Sequence, residues 1–171
     1  MLTPNTLFRF NHRWTVKGNL ADAYALVSDP RTFPQWCPLF KQIELSSPSG
    51  GLTVGAHCKC QVRAALPYAV KWDITLTDLQ PDQITTFCKL KLGSLSMAGT
   101  VRYTFRQEGE HVVIENEQAL VASRPFPARI HAFFQRLFAW NHAWAMKRGG
   151  IGLERLLRGM TGRQRTFCMA A

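Results

Sequence analysis

Near the amino terminus Phe8, Phe10, Trp14 and Val16 alternate with Arg9, Asn11, Arg13 and Thr15. A period of two sends successive side chains to opposite faces of a sheet, so residues 7–16 are predicted as a half-buried strand. Asn19 then offers a helix cap ahead of Leu20, Tyr24 and Val27 at helical spacing, and that helix should stop near Asp29-Pro30. From Asp29 to Phe40 three prolines sit among aromatics, which allows only a second short helix and a turn. Lys41 to Leu45, Ala56 to Arg63, Ala69 to Leu79, Gln83 to Leu92, Ser94 to Arg106 and His111 to Val121 alternate or are rich in strand formers. Turn signals separate them at Ser49-Gly50-Gly51, Leu66-Pro67, Gln80-Pro81-Asp82, Gly93 and Glu108-Gly109-Glu110. Connections this short imply an antiparallel meander.

A long helix is predicted from about Pro127 to Leu157. At ~100° per residue, Ile130, Phe133, Phe134, Leu137, Trp144 and Ile151 share one face with the polar Asn141 and Arg148. This stripe is expected to face the sheet, whose more apolar side needs a cover. A mostly oily wall with a few placed polar groups is what a ligand cavity requires. The inward sets of the strands repeat that mixture: Cys58, Cys60 and Val62; Val70, Trp72, Ile74 and Leu76; Thr86, Cys88 and Leu90; Met97, Gly99, Val101, Tyr103 and Phe105; Val112, Ile114, Asn116, Gln118 and Leu120.

With 171 residues and 46% hydrophobic content, a single domain spanning 1–171 is expected. No apolar run approaches ~18 residues and the first residues lack a signal-like stretch, so a soluble, cytoplasmic protein is expected. Five cysteines without CxxC spacing suggest neither a disulfide framework nor a metal site. The net charge of +10 is unevenly placed: 12 basic against 10 acidic residues through Ser123, then 9 basic against Glu154 alone, net +8, ending in a basic tail over 159–171. Such a field favours peripheral contact with an anionic membrane. No recognisable nucleic-acid module accompanies the charge, so no nucleic-acid partner is expected.

Tyr103, Asn116, Gln118 and Asn141 are the polar groups expected inside, where each must find a partner in protein, water or ligand. Arg148 on the apolar stripe either reaches solvent or meets an anionic ligand group. Trp36, Trp72, Phe134, Leu137 and Trp144 complete the expected ligand wall, and each aromatic has an ordinary core reading beside that one. Gly149, Gly150 and Gly152 weaken the helix and so imply a bend, a gate or a close backbone approach. No GxSxG, HExxH, phosphate-loop or dinucleotide motif is present, and no cofactor is implied. The catalytic candidates are Tyr103, Arg148 and His12, the last in the inward set of strand one.

The aromatic first strand ending at Trp14-Thr15-Val16, the segment ADAYALVSDPRTFPQWCP and the late helix NHAWAMKRGGIGLERLL resemble the START/Bet v1-like (SRPBCC) superfamily, in its polyketide cyclase/dehydrase and lipid-transport branch. The resemblance implies an α+β helix-grip fold: a seven-stranded curved antiparallel sheet around a long C-terminal helix, with two short helices after strand one. It also implies a hydrophobic small molecule, of lipid, isoprenoid or polyketide type, bound or carried between sheet and helix. A polyketide aromatase/cyclase or dehydrase using the same cavity is the alternative, and a pure interaction role with a collapsed cavity is a third.

Overall fold

The computed structural model describes residues 7–46, 53–65, 69–93, 95–123 and 128–168, with side chains of the last helix at 133 and 135–160. The turns expected at Ser49-Gly50-Gly51 and Leu66-Pro67, and the side chains of Ile130 and Phe134, lie outside the described residues. Strand β1 (Leu7–Lys17) precedes α1 (Leu20–Ser28), a single 3-10 turn and the four-residue α2 (Phe33–Trp36). Then come β2 (Phe40–Leu45), β3 (His57–Arg63), β4 (Ala69–Gln80), β5 (Gln83–Leu92), β6 (Leu95–Glu108), β7 (His111–Ala122) and α3 (Ala128–Cys168). The elements follow the predicted order, and α3 continues as helix well into the segment expected as a basic tail.

Local chemistry explains the boundaries. The Asn19 side chain accepts from the Asp22 amide and caps α1. Asp29 accepts from the Arg31 amide and redirects the chain, and Pro30 and Pro34 occupy first-turn positions where a missing N–H costs nothing. Gly93 and Gly109 hold positive φ of 57° and 59° in the tight turns that join β5 to β6 and β6 to β7.

The seven strands form one antiparallel sheet in the order β1-β7-β6-β5-β4-β3-β2. Its register places His12, Asn116 and Tyr103 in one row across β1, β7 and β6. Phe10, Gln118, Val101 and Thr86 form the next row. Helix α3 packs against β1, α1 and α2. The sheet thus grips the helix from one edge.

The helix presents a different face from the expected one. Phe133 and Ile151 are 64% and 48% exposed, and the inward face is Phe138, His142, Ala145, Met146, Gly149, Leu153 and Leu157. The cause is the pair of indoles opposite. Trp14 and Trp36 meet edge to face with centroids 6.2 Å apart and fill the space where a helix side chain would go. A Cβ at Gly150 would stand 2.9 Å from the Trp14 ring, and one at Gly152 would overlap the Trp36 carbonyl oxygen. Three helical glycines cost roughly 1 kcal/mol each. At ~25 cal/mol per Å² over roughly 200 Å², each buried indole contributes about 5 kcal/mol, so close approach wins. The glycines permit contact.

Candidate functional site

Two apolar cavities lie between the sheet and α3. The larger, about 130 Å³, is bounded by Trp36 below, by Tyr103 and Cys88 on the sheet and by Met146 on the helix. The smaller, about 100 Å³, reaches toward Phe8, Leu90, Met97 and Phe138. Trp72, Gln118 and His142 line both, so these three side chains form a waist between the lobes. Among the described residues, no Asp, Glu, Lys or Arg side chain lines either lobe.

The waist holds most of the unsatisfied polarity of the interior. Among the described residues, four buried side-chain atoms have no hydrogen-bond partner: Trp72 Nε1, Asn116 Nδ2, Gln118 Oε1 and His142 Nε2. Gln118 Nε2 donates to Asn116 Oδ1 at 2.9 Å, which turns the remaining amide atoms of both residues loose. Asn116 is 1% and Gln118 3% exposed, so bulk water does not compensate them. An orphan buried polar atom costs about 1–3 kcal/mol, and a fold keeps several together only where something answers them.

His142 also carries a second contact. Its Nδ1 lies 3.0 Å from His12 Nε2, and its ring stacks on Phe10 with centroids 4.3 Å apart. Burial, with a smaller contribution from His12, pushes the His142 pKa down to about 3, and burial lowers His12 as well. Both rings are therefore neutral at pH 7, and one proton is shared along the Nδ1–Nε2 line. His12 faces a surface groove that also includes Lys147 and Glu154. The pair connects that groove to the cavity wall.

The other expected site residues fall in three groups. Trp36 lies on the larger lobe and donates from Nε1 to the Leu26 carbonyl at 3.2 Å, so its polar atom is already used. Tyr103 lines the same lobe, and burial raises its hydroxyl pKa well beyond the ordinary phenol range, which keeps it protonated. Asn141 lines the smaller lobe and accepts from the Ala65 amide at 3.1 Å. Leu137 is half-buried on α3 and lines neither lobe. Arg148 is turned outward and exposed, with its guanidinium 5.1 Å from the Trp144 ring centroid. Neither member of that pair lines a cavity. The rotation of α3 moves them out, and joint action of Tyr103 and Arg148 on one ligand falls with it.

His142 does not stand out in the sequence, because the aromatics of α3 define a different stripe. The spacing Phe138, His142, Ala145, Gly149 would have found it, had small residues been allowed to mark the buried face. Cys37, Cys58, Cys60 and Cys88 are free and buried, and all but Cys60 line the larger lobe; burial raises the Cys37 thiol and pushes Cys88 up to about 11, whereas a hydrogen bond with Cys60 lowers Cys58.

No family model and no curated protein matches the sequence. Solved structures do match. A START superfamily protein from Mycobacterium smegmatis superposes with a TM-score of 0.66 at 13% identity, covering 89% of this chain and 98% of that one. Major latex-like protein 151 from Panax ginseng gives 0.64 at 13%, covering 88% and 97%. The di-domain ARO/CYC StfQ of the steffimycin biosynthetic pathway gives 0.66 at 11%, covering 91% of this chain and 52% of that protein. The chain therefore has the START/Bet v1-like helix-grip fold. At these identities the likeness speaks for fold alone.

Proposed function

We propose that this chain binds an apolar small molecule of lipid, isoprenoid or polyketide type in the paired cavities and carries it between membrane surfaces. The observation that supports this reading is a pair of adjoining apolar lobes between sheet and helix whose described walls hold no Asp, Glu, Lys or Arg side chain. Apolar burial drives entry, and the few polar atoms orient what enters.

The outer face of α3 suits docking on an anionic membrane. Trp140 is 55% and Ile151 48% exposed, and Arg136, Lys147, Arg148, Arg155 and Arg158 are exposed on the same helix. Exposed aromatic and aliphatic side chains beside cations are the composition of an interfacial helix. No helix among the described residues is long and apolar enough to cross a membrane.

A polyketide aromatase/cyclase or dehydrase is the second reading, favoured by the neutral His12–His142 pair at the cavity wall, which has the chemistry of a general acid or base. Native mass spectrometry of freshly purified protein, followed by denaturing extraction, tests the first. A stoichiometric apolar molecule, released unchanged, supports carriage; steady conversion of that molecule by the protein supports the enzyme; an empty protein that also binds no apolar probe overturns both.

A further inference from the structure

The four orphan atoms are not scattered through the core. Three of them, on Trp72, Gln118 and His142, belong to the only side chains in the described structure that carry an unpartnered polar atom and line both lobes. The fourth, Asn116 Nδ2, stands directly behind Gln118 through their hydrogen bond. Unpartnered polarity is thus concentrated at the waist, with mostly apolar wall on either side.

The geometry points to an uncharged ligand with two apolar arms, one in each lobe, joined by a hydroxyl or carbonyl group that hydrogen-bonds at the Trp72–Gln118–His142 waist. This inference rests on the cavity-binding reading above and narrows its ligand to a class. Three arguments support it. The Trp72 indole can only donate and Gln118 Oε1 can only accept, so the waist offers the joining group both a donor and an acceptor. A hydroxyl meets both alone, and a carbonyl takes Trp72 or His142 as donor. His142 adapts to either: when His12 donates to its Nδ1, the cavity-side Nε2 carries the proton and donates; when Nδ1–H donates to His12, Nε2 accepts.

Charge is excluded on the same grounds. With no Lys or Arg in the described walls, with His57 at the larger lobe already engaged by Asp73, and with burial holding His142 neutral, a carboxylate or phosphate at the waist would enter without a counterion. A free fatty acid with its head at the waist is therefore a poor fit. Size sets the arms. A cavity of about 150 Å³ holds one benzene ring, so lobes of about 130 and 100 Å³ limit each arm to no more than one ring or a short branched chain.

A matched series of two-ring probes isolates the joining group: diphenylmethane, diphenylmethanol, benzophenone and diphenylacetate, titrated calorimetrically into the 171-residue chain. Diphenylmethanol or benzophenone should bind about tenfold tighter than diphenylmethane, the gain expected of a hydrogen bond to a buried orphan atom, and diphenylacetate should bind most weakly. Gln118→Leu and His142→Phe should each close the gap while leaving diphenylmethane affinity near the wild-type value. Equal affinities across the neutral probes, or tightest binding by diphenylacetate, overturn the inference and leave the cavity-binding reading standing. No binding by any probe overturns both. Should either variant fail to fold, the wild-type series alone decides.

Discussion

Replacing Asn116 by Leu and Gln118 by Met together should make the protein more stable, although both sit in its deepest core. Leu matches Asn in side-chain heavy atoms, and Met follows the unbranched path of Gln. The double change removes two orphan atoms, Asn116 Nδ2 and Gln118 Oε1, at about 1–3 kcal/mol each. It also removes one internal hydrogen bond of 2.9 Å, whose net contribution is about 1 kcal/mol. The balance is a gain of roughly 1–5 kcal/mol before any added apolar contact. At about 2–4 °C per kcal/mol for a chain of this size, Tm should rise by roughly 2–20 °C. The single variants should do worse than the double. Gln118→Met alone strands Asn116 Oδ1, and Asn116→Leu alone strands Gln118 Nε2, so the two effects are strongly non-additive. Differential scanning calorimetry and urea unfolding of the four proteins close the cycle. A double variant less stable than wild type by more than about 1 kcal/mol would mean that both amides are satisfied in the native protein, and the waist would lose its claim on a ligand. A more stable protein with weaker selectivity for the hydroxyl probe would show polarity kept at a cost in stability for the sake of binding.

Other outcomes follow from the same geometry. Gly152→Ala should lower Tm by several degrees, because its Cβ meets backbone at Trp36 that cannot rotate away, whereas Gly159→Ala, with open space around it, should gain up to about 1 kcal/mol from helix propensity alone. Circular dichroism melts separate the two. His142, with its pKa pushed down to about 3, stays neutral in the fold while its unfolded counterpart protonates near 6.5. Its term is flat above pH 6.5 and erodes stability by up to about 1.4 kcal/mol per pH unit as pH falls from there toward 3, a slope that His142→Phe should remove in urea titrations. Binding to anionic vesicles should fall steeply with salt, and Trp140→Ala and Arg148→Gln should each weaken it while leaving stability within about 1 kcal/mol of wild type, since both residues are exposed; co-sedimentation with neutral vesicles is the control, and equal binding there contradicts membrane docking through charge.

The fold is legible because β1, β3 and β7 alternate closely and the turns carry their own chemistry, whereas β4 and β6 alternate only in part. Val112, Ile114, Asn116, Gln118 and Leu120 all face inward as their period of two required. The helix was misread at the level of rotation. Its aromatic stripe looked buried because large apolar residues usually are, but the volume opposite was already committed to Trp14 and Trp36, from elements more than a hundred residues away. A pattern internal to α3 holds no information about that volume. The same rotation turns Arg148 outward and brings His142 onto the lobes. The amides of Asn116 and Gln118 were legible as inward polar groups; that they bond each other, and so leave two atoms unanswered, depends on rotamers that spacing does not encode.

The five tryptophans are placed to report where an apolar molecule goes. Trp14, Trp36 and Trp72 line the larger lobe, whereas Trp140 and Trp144 line neither. The most direct test of the cavity is therefore a titration of toluene, a ring-sized probe, followed in the indole N–H region of an ¹⁵N-labelled protein spectrum. Saturable shifts at Trp72, Trp36 and Trp14 with Trp140 unmoved are the predicted result. Shifts confined to Trp140 and Trp144, or none that saturate, would place apolar binding outside the fold and contradict the account.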